Sequence, residues 1–230
     1  MEERLNTPAL LADTVQDLAR TVASALQGGG NRGEALAPAV PPAAHDAVSL
    51  AAARVLGADL LAPSTLLGIP VGPADSDLVA AAVQAFPPTG QSPSVAWSHW
   101  GMTAALQLLR GDSPAPELET SWPTGQSWQQ LTQRLAPLAA LAGLPTPCAP
   151  AAAALGRVED LARGFVRAVR RRDWLQAAGA GRWLAAQGRA VPETLGLEHG
   201  LALVARMGAQ DARVLLHTTA ARVLLAGAAR

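Results

Sequence analysis

The sequence predicts an all-α protein, an antiparallel bundle of helix hairpins with about eight or nine helices. Three observations carry that prediction. Half of the 230 residues are apolar, and Ala dominates that half, with two Phe and no Tyr. Ala, Leu and Val at this level suit closely packed helices better than sheets. Ser, Thr or Asp near Pro recurs before stretches of helical period, and Gly recurs after them, which is the punctuation of helix starts and stops. No run alternates apolar and polar residues with β-branched enrichment, as a strand would.

Along the chain, the first helix is expected from Thr7 as N-cap, with Pro8 in the first helical position and Gly28 past the end. Leu11, Val15, Leu18, Val22 and Leu26 share one face at helical spacing. The next stretch, 26–36, reads LQGGGNRGEAL, and Gly28, Gly30 and Gly33 spell G-x-G-x-x-G. A dinucleotide-binding turn needs a buried strand before those glycines and a helix after them. Here a helix precedes, and Pro38, Pro41 and Pro42 deny an immediate long helix afterwards. Gly28 is better explained as a helix C-cap, and no cofactor is expected.

A second helix is expected over about 43–56, stopping near Gly57, followed by a loop over 62–77 with some buried apolar residues. Asp75 or Ser76 can cap a short helix that ends at Phe86, before Pro87 and Pro88. Ser92 and Pro93 open a helix through Leu109, and Gly111 ends it. The polar, proline-bearing segment 111–126 is the best boundary between an acidic helical part, 1–116, and a helical part, 117–230, basic from about 151. One continuous domain fits the same sequence.

Ser127 opens the next helix, with Pro137 kinking it. Helices are then expected over about 150–171, 173–187, 192–207 and 210–226. The uncharged run 135–156 is long enough to span a membrane. Pro137, Pro145, Pro147 and Pro150 interrupt it, so it is expected to be a helix end, a loop and a helix start in a soluble chain. The segments from Arg171 and Arg206 align at an offset of 35 residues, placing Asp173 over Gly208 and Ala177 over Ala212. Over about 70 residues these hairpins look somewhat like tetratricopeptide units. That family's tryptophan, tyrosine and proline positions are mostly unmatched, and generic antiparallel helix pairs explain the pattern.

Several chemistries are disfavoured. All 18 basic residues are Arg, so no lysine Schiff base and no P-loop lysine is possible. Cys148, in a proline-rich loop, is the only cysteine, which excludes an intrachain disulfide and a CxxC metal site. The early acids and missing apolar stretch at 1–16 do not match a secretory signal, so a cytoplasmic chain is expected. His45, His99, His199 and His217 fall in no zinc motif, and no G-x-S-x-G elbow occurs. His99, between Trp97 and Trp100, is the one histidine worth testing. No catalytic, cofactor-binding or metal residue is nominated.

The charge is uneven. Residues 1–150 carry 6 Arg against 12 acids, net −6, and residues 151–230 carry 12 Arg against 6 acids, net +6. The strongest functional signal is RGFVRAVRRRDW, with Arg163, Arg167, Arg170, Arg171 and Arg172. On one helix, Leu155, Val158, Ala162, Phe165 and Val169 would form the apolar face, with Arg163, Arg167 and Arg170 opposite and Arg171 beside them. Glu159 stands four residues before Arg163, a favourable pairing, while Arg167, Arg170 and Arg171 have no such acid upstream. Such a stripe can face solvent, contact a protein or pair with phosphates. The six Trp are expected to fill gaps between helices of small residues.

The expectation is a non-enzymatic interaction or assembly protein acting through protein contacts, with a partner or with itself. The alternative is a nucleic-acid-binding helical protein using the stripe at 163–172. A helical ligand-binding protein or enzyme without a recognisable motif is a second alternative. No membrane contact is expected.

Overall fold

The computed structural model describes residues 3–28, 46–88, 92–113, 115–116, 118, 122–123 and 125–228. It is all-α, and the described residues contain no strand. They form two compact units, Met1–Ala115 and Pro116–Arg230. Gly30, Gly33, Pro38, Pro41, Pro42 and His45 lie outside the described residues, as do parts of 111–126.

In the first unit, α1 runs Glu3–Leu26 and includes Pro8, so the helix begins four residues before the expected cap, Thr7. Pro8 is thus the sixth residue of α1, beyond its first turn, where its missing N–H removes one intrahelical bond. Val15, Leu18, Ala19, Val22, Ala23 and Leu26 are buried against α2 and α3. α2, Ala47–Leu56, starts at Asp46, whose carboxylate accepts from the Ser49 N–H at 2.7 Å. That places the start later than the expected 43.

α2 ends at Leu56 with Gly57 as its C-cap at φ 62°, where the sequence places the stop. The chain passes through a 3₁₀ turn, Gly57–Leu61, into α3, Ala62–Leu67. The expected loop over 62–77 is therefore partly helix. Pro63 sits in the first turn of α3, where proline suits, and Gly68 at φ 67° ends it. α4, Pro73–Ala85, has Gly72 as its N-cap, so Asp75 and Ser76 lie inside its first turn rather than capping it. α5, Pro93–Arg110, follows Ser92 and ends at Gly111 in the left-handed region. Trp97 and Trp100 meet edge-on at 5.4 Å and are both buried, forming the aromatic centre of this unit. The 21-residue path 47–67 is long and apolar enough to cross a membrane, and 61% of its apolar 18-residue stretch is buried inside the structure.

The second unit opens with α6, Trp128–Leu135, capped reciprocally by Ser127 and Gln130. At Pro137 the helix tightens into a 3₁₀ segment, Ala136–Leu141, which is the form the expected kink takes. α7, Ala149–Gly156, follows, with Cys148 buried at its N-cap. The expected single helix over 150–171 is broken at Arg157, and α8 is Val158–Arg170. Arg157 accounts for the break, since its guanidinium reaches the Gln126 carbonyl at 2.7 Å and also holds Asp160. The hairpin continues through α9, Trp174–Ala186, and a second hairpin joins α10, Leu197–Met207, to α11, Ala212–Ala228.

α9 is the centre of this unit. It is buried all round from Ala177 to Ala185 and packs on α6, α8, α10, α11 and the 136–141 turn. Small residues permit that crowding. A Cβ on Gly179 would overlap the Ala136 carbonyl, and one on Gly164 of α8 would overlap the Thr132 side chain of α6. Trp183 of α9 donates its indole N–H to the Leu135 carbonyl at 2.7 Å, in the core. Arg182 of α9 meets His217 of α11 at 3.3 Å, a separation of 35 residues. Trp174 lies against Gly208 and Gly188 against Ala228, so α9 and α11 run parallel.

Candidate partner-binding groove

α8 places its two faces differently from the expected pattern. Val158, Leu161, Gly164, Phe165 and Ala168 point into the core. Phe165 is buried as expected, its ring filling the space left by two missing side chains. A Cβ on Gly200 would lie 2.8 Å from that ring, and one on Gly181 would lie 3.1 Å away. Leu155, expected on the same face, belongs to α7 and is 62% exposed, because the break at Arg157 takes it off that stripe. Ala162 and Val169 are half-buried.

The outer face of α8 carries Glu159, Ala162, Arg163, Val166, Arg167, Arg170 and Arg171, an uninterrupted helical stripe in which two apolar residues stand among four arginines. That stripe lines an open groove of about 780 Å³. The opposite wall is Pro192, Thr194 and Leu195, from the short 3₁₀ turn Glu193–Leu195 and the residue before it. Trp128 of α6 closes one side.

The arginines differ in what holds them. Arg163 pairs with Asp160 at 3.3 Å rather than with Glu159, the expected partner. Asp160 already faces its own turn to hold Arg157, so a residue three back wins over one four back. Arg163 remains largely exposed, and an exposed pair of this kind contributes little. The Arg167 guanidinium lies over the Trp128 ring at 5.6 Å, a cation–π contact that fixes its direction. Arg170 and Arg171 are exposed and make no ion pair among the described residues. Arg172 has φ 59° in the turn before α9 and lines neither the groove nor the pocket beside it. The structure thus gathers Arg163, Arg167, Arg170 and Arg171 and leaves Arg172 out.

Beside the groove lies a smaller, polar pocket of about 180 Å³. Gln129 and Gln133 of α6, Gln176 of α9, Arg167 of α8, Arg171 at its end and Asp173 line it. Trp128, Arg167 and Arg171 form the wall shared by pocket and groove. Sequence reasoning missed Trp128, Val166, Leu195 and the three glutamines as neighbours of the stripe. Val166 was legible, being spaced with Arg163 and Arg170 at helical period; the others come from distant segments that only the fold brings near.

Elsewhere, His99 Nε2 lies 3.2 Å from the Val83 carbonyl, an ordinary packed histidine. Among the described residues no group of three or more His, Cys, Asp or Glu is placed to hold a metal ion. Comparison of the chain with family models, with curated proteins and with solved structures finds no match.

Proposed function

We propose that the protein is a binding protein whose groove along α8 takes an acidic, apolar-faced segment of a partner protein. The observation that supports this is the mixed lining. Val166, Ala162, Pro192 and Leu195 give an apolar floor, while Arg163, Arg167, Arg170 and Arg171 give a cationic rim. A phosphate backbone would use the rim and leave the floor unsatisfied. An amphipathic segment with carboxylates beside its apolar face uses both. Nucleic acid is the second reading, favoured by the free guanidinia of Arg170 and Arg171.

The test is binding of a short peptide with Leu on one helical face and Glu beside it, against duplex DNA and RNA, at two salt concentrations. The peptide should bind, more weakly at high salt. Replacing Arg163 and Arg170 together by Gln should weaken it about fivefold, and Val166→Asp should abolish it. Nucleic-acid binding without peptide binding would overturn the proposal. Its signature would be a log–log salt slope of about −0.9 per phosphate contact, flattened when Arg167, Arg170 and Arg171 become Gln.

A further inference from the structure

We propose that the polar pocket beside the groove is an anion subsite, and that it holds one phosphoryl group carried by the bound partner segment. The inference rests on the groove being that segment's seat. The pocket is polar where the groove is apolar, although the two share a wall. Its volume, about 180 Å³, is that of roughly six waters. It therefore has room for a tetrahedral group and its link to a peptide.

The donors exceed what a carboxylate can use. Arg167 and Arg171 each present a fork of N–H groups, and Gln129, Gln133 and Gln176 each present an amide. None of these three amide side chains makes a hydrogen bond among the described residues. A carboxylate offers two oxygens; a phosphoryl group offers three strong acceptors and close to two negative charges. Asp173, the one acid in the lining, caps α9, where its carboxylate accepts from the Gln176 N–H at 3.2 Å. Arg167 is held in place by the Trp128 ring before any ligand arrives, which lowers the ordering cost of binding. Gly164 lets α6 and α8 approach so closely that the glutamines of one and the arginines of the other border one pocket.

The experiment uses the full chain and three probes: inorganic phosphate, the Leu/Glu peptide with one serine, and the same peptide with phosphoserine. Inorganic phosphate, titrated through the millimolar range, should saturably shift the Trp128 indole N–H resonance. The phosphopeptide should bind about tenfold more tightly than its serine counterpart, the gain from one charge-assisted pairing. Gln133→Leu, at an exposed position that lines only the pocket, should erase that gain and leave the serine peptide unaffected. Val166→Asp, which lies only in the groove, should weaken both peptides and leave the phosphate titration unchanged. Equal affinity for the two peptides, or a phosphate response that survives Gln133→Leu and Arg171→Gln together, overturns the subsite while the groove reading stands. A normal phosphate response with neither peptide bound overturns the groove reading instead.

Discussion

The two units carry opposite charge, and Arg54 of the first is held in a way that Arg170 and Arg171 of the second are not. The first holds five arginines and ten acids within 1–115, and the second holds thirteen arginines and eight acids within 116–230. In the first, Arg54 is spent internally. It donates to the Ser98 hydroxyl at 3.0 Å and to the Val95 carbonyl at 2.9 Å, and burial pushes it below its ordinary value. In the second, Arg170 and Arg171 reach outward with no ion pair among the described residues. Packing explains part of this. The first unit is centred on an edge-on tryptophan pair, and the second on glycines and alanines that let helices nearly touch. On α8 the long side chains are kept for the outer face, whereas α9 buries Arg182 beside His217 of α11. What makes a cation available is therefore whether its donors are already engaged, more than the net charge of the unit around it.

The most damaging single change to the second unit should be Phe165→Ala. The ring is the large filler between Gly181 and Gly200, and neither glycine has a side chain that can move into the space. Denaturant melts should show a loss of about 3–5 kcal/mol. A loss below about 1 kcal/mol would remove Phe165 from the core and turn α8 around, along with the groove.

Glycine serves two different purposes here, and a pair of variants separates them. Gly179→Ala adds a methyl where the Ala136 backbone already stands, so it should cost about 1–3 kcal/mol through overpacking. Gly111→Ala meets nothing within 4 Å, but Gly111 has φ 72°, so its cost of about 1 kcal/mol should be conformational. Asn at 111 should recover much of that loss, since Asn tolerates the left-handed region, and Asn at 179 should be worse than Ala. If both positions respond alike to Asn, close helix approach is not what organises the second unit.

Helices were legible because each depends on local pattern. Ser92 with Pro93, Ser127 with Gln130, and Gly111 are starts and stops that neighbouring residues decide. Gly57 does end α2, as its local pattern says, yet the chain continues helical beyond it where a loop is expected from 62, with Gly57 close to Ser98 of α5. The break in 150–171 follows Gly156 and precedes Glu159 and Asp160, signals that the apolar spacing across it masks, and Arg157 there also reaches the Gln126 carbonyl 31 residues away. The arginine stripe was visible from its spacing alone. Its pairing with Asp160 is a local contact three residues back on α8, whereas its stacking on Trp128 and its share in a glutamine-lined pocket depend on the packing of α6 against α8, which no periodicity encodes.

The smallest expected effect concerns acid rather than base. Asp46 and Asp75 stand at the starts of α2 and α4 in the acidic unit, and their surroundings drive them apart. The Ser49 backbone N–H holds the exposed Asp46 carboxylate below its usual value. Burial pushes Asp75 up to about 6, against whatever the positive helix end contributes. A carboxyl whose folded value exceeds its unfolded one binds its proton more tightly when folded. Stability from Asp75 is therefore greatest below the unfolded value and declines as pH rises toward about 6, then stays level. Asp75 is only half-buried, so solvent screening reduces the effect to about 1 kcal/mol or less. Asp75→Asn should thus stabilise the protein at pH 7.5 and change little at pH 4. A variant equally stabilising at both pH values would mean that Asn improves the helix start, and that the buried charge of Asp75 carries no cost.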